Sequence, residues 1–346
     1  LLIFVIFFLF TDLLFSNFVH KEKVQVRYDC FTYKNYKIDN LDYHDYRLLE
    51  NCEATEKQRT VTPYKVYTDP KGYRFSGKIR NKKLENIVFL GDSFTYGYGV
   101  NYEDSFPGIV ENKIQNFEIY NLGVPGYGIQ KYLYSLEKFS KENNVSKIFL
   151  TLDMTDISDA AFRWVAIKGL DSPVLKSRYV NKDISEWKKF KDSNFKGTKL
   201  IIYHLRNISR YLKFQLRFLR SGGIDKALSS EIANFTYKDL KNHNQLNSDV
   251  FKDSLKIISS NFNQISLIAK QNNADLYLII FPWPETLING QDNFNWEIFS
   301  KELCINNDCK KVINLFNDFK KLKKDNENWK KLIYIDDDVH LKHYGN

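Results

Sequence analysis

Apolar and polar positions along this chain follow two rhythms that take turns. Short apolar runs of strand length stand at 86–90, 117–122, 147–152 and 276–281, with a last one at 312–315. Between them apolar residues recur three and four positions apart, which predicts helices over 104–116, 131–143 and 253–271. In the longest of these, Leu255, Ile258, Phe262, Ile265 and Ile268 share one side. Unbroken apolar strands alternating with amphipathic helices predict a parallel sheet covered on both faces. Functional loops of such sheets gather at the carboxyl ends of the strands. Residues 331–335 are expected to run extended into a terminal loop.

Three regions depart from this alternation. Residues 1–19 are almost wholly apolar, a length that suits a bilayer core of roughly 30 Å. The first alanine after them is Ala54, so no small-residue cleavage site follows, and an uncleaved transmembrane anchor is expected. Residues 20–85 are polar and tyrosine-rich, with turn signals at Thr62-Pro63 and Asp69-Pro70-Lys71-Gly72, and read as an irregular lead-in. The main domain is expected over 86–346, interrupted at 160–250 by a helical insertion.

Composition narrows the picture. Of 346 residues, 43% are hydrophobic and 16% aromatic, which excludes a disordered or fibrous class. The net charge of +9 is local: 176–220 holds thirteen Lys and Arg against three acids, and the remainder is close to neutral. Within 199–220, Ile201, Leu205, Ile208, Leu212, Leu216 and Leu219 form an apolar stripe, with Arg206, Arg210, Lys213, Arg217 and Arg220 beside it. Such a basic amphipathic helix can lie on an anionic membrane surface, or be an ordinary solvated face on a packed helix. No reading motif accompanies the charge, so nucleic acid is not an expected partner. Four cysteines fall as local pairs, Cys30 with Cys52 and Cys304 with Cys309, which fits disulfides and an extracytoplasmic domain. Lys21, Lys23 and Arg27, just after the apolar stretch, pull toward a cytoplasmic side instead. No second ligand pair stands near Cys304 and Cys309, so a tetrahedral zinc site is not expected there; no cofactor is expected elsewhere either.

The candidate chemistry lies at two strand ends. In Ile87-Val88-Phe89-Leu90-Gly91-Asp92-Ser93-Phe94-Thr95-Tyr96-Gly97 a serine follows a buried strand and precedes a glycine-rich turn. There its hydroxyl is exposed above the sheet, and backbone N–H groups can face a developing oxyanion. A hydroxyl nucleophile needs a base. Of His20, His44, His204, His243, His340 and His343, only His340 follows carboxylates at short spacing, in Asp336-Asp337-Asp338-Val339-His340. A carboxylate from the same loop can hold the imidazole tautomer.

Taken together, VFLGDSFTYGYGV, YNLGVPGYG and DDDVHLKHYGN, supported by LYLIIFPWPE, resemble the SGNH (GDSL) hydrolases, specifically membrane-associated bacterial proteins of the cell envelope. The resemblance covers roughly residues 70–346 apart from the insertion. It implies a flavodoxin-like three-layer α/β/α sandwich, Ser93 as nucleophile and His340 as general base. The orienting carboxylate is Asp337 by the commoner family spacing D-x-x-H. It is Asp338 by the D-x-H spacing of envelope O-acetyltransferases. The implied oxyanion hole is the N–H of Ser93, the N–H of Gly126 and a side chain from the third block. That block departs from the family: Asp153 stands where the family has Gly, and Thr155 where it has Asn. Thr155 is then the expected third donor, on a shorter reach, and Asp153 would oppose negative charge on the substrate. The function implied is esterase or deacylase action on an ester, an O-acetyl group in the first place, of a cell-envelope glycan or lipid. The alternatives are an O-acyltransferase on the same site and a catalytically impaired glycan-binding or assembly protein. Tyr96, Tyr98, Tyr127 and Trp283 would suit stacking on sugar faces, or equally the core.

Overall fold

In the computed structural model the strand-length apolar runs pair into one parallel sheet. The structure describes residues 7–8, 10–12, 29–39, 41–56, 63–78, 84–160, 164–176, 249–291, 294–336 and 338–346. Two compact units are distinguished: Leu1–Gln25 with Arg178–Glu231, and Val26–Ser177 with Ile232–Asn346. The parallel sheet and the candidate site both belong to the second. The expected anchor lies outside the described residues except for 7–8 and 10–12, and the basic stripe of 199–220 lies wholly outside them. Among the described residues no helix is long and apolar enough to cross a membrane.

The sheet contains β5 (Glu85–Leu90), β6 (Phe117–Asn121), β7 (Lys147–Thr151), β10 (Asp275–Ile280) and β11 (Lys311–Asn314), all parallel. Their order is β11-β10-β7-β5-β6. The first strand thus lies between the second and third, the flavodoxin-like order. Ile87, Phe89, Ile119 and Ile279 form one buried face with Phe106 and Val110 of helix α2 (Phe106–Lys113). The alternate positions Val88, Leu90, Ile148, Leu150, Leu278 and Ile280 are fully buried on the opposite face, as the two-residue period of a strand requires. Helices α3 (Ile129–Ser140) and α4 (Asp249–Gln271) pack on each other, and the Ser266 hydroxyl of α4 donates to the Asn307 carbonyl just past α5 (Trp296–Asn306). The chain runs outward from β5 to β6 and then back past β5 to β7, β10 and β11, so right-handed crossovers put α2 on one face and these three on the other. Three layers result, as expected. The reversal opens a crevice between the carboxyl ends of β5 and β7, where such folds bind ligands.

Three expectations are corrected. The lead-in is not irregular: β1 (Phe31–Ile38) and β2 (Leu41–Leu48) form an antiparallel hairpin, and β3 (Glu53–Glu56) pairs with β4 (Tyr64–Tyr67). Its tyrosines alternate with polar residues at strand period, a pattern masked by low hydrophobicity. The start of the expected helical insertion is also β. Strands β8 (Trp164–Val165) and β9 (Val174–Lys176) extend the hairpin into a four-stranded sheet, β1-β2-β9-β8. Of the residues expected to run extended at 331–335, the first three instead end helix α6 (Trp329–Ile333), and only Tyr334 and Ile335 run extended, Tyr334 in a bridge to Leu341. Both expected disulfides are formed, with Cα separations of 5.6 Å for Cys30–Cys52 and 4.8 Å for Cys304–Cys309.

Candidate active site

Ser93 opens a one-turn helix, α1 (Ser93–Tyr96), directly after β5. Asp92 caps it by accepting the Phe94 N–H at 3.0 Å. The N–H of Ser93, at the first helical position, has no acceptor within the helix. A wholly buried arginine that sequence patterns do not reveal holds the next residues. Arg74 donates to the carbonyls of Tyr96 (2.6 Å), Gly97 (2.7 Å), Val100 (2.7 Å) and Lys65 (3.2 Å). Its guanidinium also lies 4.5 Å from the centre of the Tyr96 ring. No carboxylate spacing marks it in the sequence. Its partners are backbone carbonyls, which every residue carries.

The histidine arrives from the far end of the chain. A bridge between Tyr334 and Leu341 closes its loop, with Ile335 N–H donating to the His340 carbonyl at 2.8 Å. The Tyr334 hydroxyl donates to the Pro282 carbonyl at 2.8 Å, tying the loop to the end of β10. Phe94 and Tyr98 flank the imidazole, at ring distances of 4.8 and 4.3 Å. Across 247 positions of sequence, His340 Nε2 comes within 2.7 Å of Ser93 Oγ.

Of the two candidate carboxylates, Asp338 meets the ring, with Oδ1 at 2.5 Å from His340 Nδ1. The same oxygen accepts the N–H groups of Val339 (2.7 Å) and His340 (3.2 Å). Asp337, the residue favoured by family spacing, lies outside the described residues. Burial works to raise the Asp338 carboxyl, but the His340 charge and these hydrogen bonds outweigh it and hold it at about 2. An ionised Asp338 only accepts, so Nδ1 carries the proton and Nε2 is left to accept the serine hydroxyl hydrogen. Asp92 Oδ2 lies farther from Ser93 Oγ, at 3.3 Å.

Gly126 lies in the loop after β6 at φ +75°, the left-handed region that glycine enters without strain. That loop sits tightly on the nucleophile turn. Val124 N–H donates to the Gly91 carbonyl at 3.3 Å, and a Cβ on Gly123 would come within 2.5 Å of the Tyr96 nitrogen. The third block is arranged differently from expectation. The Thr155 hydroxyl donates to Asp153 Oδ1, and so does the Thr155 N–H at 2.6 Å. Its hydroxyl hydrogen thus lies on Asp153 in this structure. Asp153 is itself buried, and burial raises its carboxyl against those two hydrogen bonds. A carboxyl moved toward its neutral form opposes substrate charge less than an ionised one. Burial, then the fields of neighbouring carboxylates, pushes Asp92 and Asp156 well up.

The remaining histidines stand elsewhere. His44 hydrogen-bonds Asn35 on the hairpin, His343 pairs with Asp104 at 3.0 Å, and His20, His204 and His243 lie outside the described residues. Tyr96, Tyr98, Tyr127 and Trp283 are all 5% exposed or less, so they are core and offer no open face for a sugar. Among the described residues no cluster of His, Cys, Asp and Glu could hold a metal ion.

No family model matches the chain, and no curated protein matches it. Similar solved structures include a member of the lipolytic protein G-D-S-L family from Veillonella parvula. It is 14% identical over 76% of this chain and 92% of that one, with a TM-score of 0.36. The lipase/acylhydrolase from Enterococcus faecalis is 11% identical over 76% and 89%, with a TM-score of 0.36. AlinE4, an SGNH-hydrolase family esterase, is 13% identical over 68% and 77%, with a TM-score of 0.33. Likenesses this distant say nothing of the chemistry, which this chain's own atoms have to carry.

Proposed function

We propose that this chain is an ester hydrolase of the SGNH kind that works through an acyl-enzyme on Ser93. The observation that carries the reading is the continuous hydrogen-bonded line Ser93 Oγ, His340 Nε2, His340 Nδ1, Asp338 Oδ1. Ser93 attacks the ester carbonyl as Nε2 takes its proton, and Asp338 stabilises the imidazolium that forms. The N–H groups of Ser93 and Gly126 face the developing oxyanion. His340 returns the proton to the departing alcohol, and water then frees the acid by the same route in reverse. A formed serine–imidazole hydrogen bond favours this reading over an inert binding scaffold.

The substrate class we propose is an O-acetyl ester on a cell-envelope glycan or lipid. Its support is the envelope-type resemblance of the motifs, together with two disulfides that fit an oxidising compartment. A second reading has an observation of its own. The carboxylate on His340 is the one at D-x-H spacing, the spacing that the resemblance links to envelope O-acetyltransferases. In that reading a sugar hydroxyl replaces water as acyl acceptor. One experiment separates the outcomes: acetyl release from acetylated glycans and from p-nitrophenyl acetate, with and without free glycan acceptor. Hydrolysis predicts free acetate that disappears with Ser93→Ala. Transfer predicts acetylated acceptor at the expense of acetate. A protein that does neither, and does not react with a fluorophosphonate at Ser93, is no serine esterase.

A further inference from the structure

The four-stranded antiparallel sheet takes no part in the acyl-transfer steps, yet two of its side chains end on the loop that carries Gly126. The Tyr46 hydroxyl, on β2, donates to the carbonyl of Pro125 at 2.9 Å. The Trp164 indole N–H, on β8, donates to the carbonyl of Gly126 at 3.0 Å. We propose that Tyr46 and Trp164 are positioning residues for the oxyanion hole, setting the two peptide planes on either side of Gly126. This rests on the esterase reading, in which the Gly126 N–H is an oxyanion donor.

Peptide geometry links these bonds to the donor. The Pro125 carbonyl and the Gly126 N–H belong to one planar unit, and it is trans, since no cis bond occurs among the described residues. In a trans unit the C=O and N–H point in opposite directions. Fixing the carbonyl on Tyr46 therefore aims the Gly126 N–H away from the antiparallel sheet. A hydrogen bond accepted by a carbonyl also polarises the N–H of the same unit. Trp164 fixes the plane that follows. Gly126 needs such bracketing because glycine at φ +75° has no side chain to hold it, and a freely turning peptide would not be a preorganised donor.

The bracket is itself anchored. The Tyr127 hydroxyl donates to the Tyr46 carbonyl at 2.6 Å, so strand and loop are joined in both directions. Lys131, 1% exposed, reaches Asp45 of β2 and Ser172 before β9, both at 2.7 Å, tying α3 to both halves of the sheet. Tyr46 also packs against Tyr127 and Trp164, with ring centres 5.5 and 5.4 Å apart.

The test uses the full chain and p-nitrophenyl acetate, with phenylboronic acid as a probe that becomes tetrahedral on the serine. Tyr46→Phe keeps the ring and removes the hydroxyl. Removing an oxyanion donor costs about 10²–10³ in kcat, so loosening one is expected to cost about tenfold. KM should stay within about twofold, and phenylboronic acid should bind about tenfold more weakly, since only the tetrahedral state uses the donor. Trp164→Phe, which removes the indole N–H and keeps an aromatic ring, should act the same way and stands in if Tyr46→Phe does not fold. An unchanged kcat, or a lower kcat with unchanged boronate affinity, overturns the proposal. Wild-type turnover that Ser93→Ala abolishes keeps the esterase reading standing in that event. Absence of such turnover in the wild type removes both.

Discussion

The serine and the histidine reach the same hydrogen bond from two differently built regions. Residues 91–100 follow a central strand, and buried Arg74 gathers three of their carbonyls. The histidine loop is closed by the Tyr334–Leu341 bridge, tied down by the Tyr334 hydroxyl, and packs Tyr334, Val339 and Leu341 into a buried apolar cluster with Phe94 and Phe281. The nucleophile turn is thus held through its carbonyls by one buried cation, whereas the histidine loop is held by apolar packing and aligned by single hydrogen bonds. Removing that cation should register chiefly as stability, and removing single hydrogen bonds around the imidazole chiefly as activity.

The largest effect expected is on activity, from the loop. Asp338→Asn should lower kcat by about 10³–10⁴, because the imidazole loses the acceptor that fixes its tautomer. Asp337→Asn, measured beside it, should leave kcat within about threefold, since Asp338 already holds Nδ1. Equal losses in both would undo the assignment of Asp338. In the turn the weight shifts to stability. Arg74→Met leaves four carbonyls without their donor, three of them on 96–100, and should cost about 3 kcal/mol or more in urea unfolding. A stable Arg74→Met protein that had lost only activity would reverse the contrast. Smaller still, Tyr334→Phe removes one hydrogen bond, worth about 1 kcal/mol. Its sharper effect should be a lower kcat at unchanged KM.

Two carboxyls near the site should respond to pH in opposite senses. Asp338 is depressed from 3.8 to about 2, so the stability it contributes is present above 3.8 and is lost as pH falls through that interval. Asp156, beside the nucleophile turn, is shifted the other way, and the native state holds its proton more tightly than the unfolded chain. It therefore costs stability as pH rises above 3.8. Asp156→Asn should raise the melting temperature at about pH 8 and lose that gain toward about pH 4. A gain that does not depend on pH would show that repacking, and not charge, is responsible.

Whatever depends on near neighbours could be read from the chain before it folds. Apolar runs and their helical intervals foretold the parallel sheet, since burial on both faces or on one stripe writes its period directly into the chain. The turn that exposes Ser93 and the pairing of nearby cysteines are local in the same sense. Some near neighbours stayed ambiguous: aspartates 337 and 338 look alike in sequence, and only the backbone path at 338 shows that this residue reaches the imidazole. Folding alone selected the pairings between distant positions: His340 on Ser93, and Arg74 holding the nucleophile turn. It also joined Tyr46 and Trp164 around one glycine, through strands more than a hundred positions apart in the chain. Most of these pairings use backbone carbonyls or single hydroxyls as partners. Such groups occur everywhere in a sequence, so nothing short of the folded chain can choose among them.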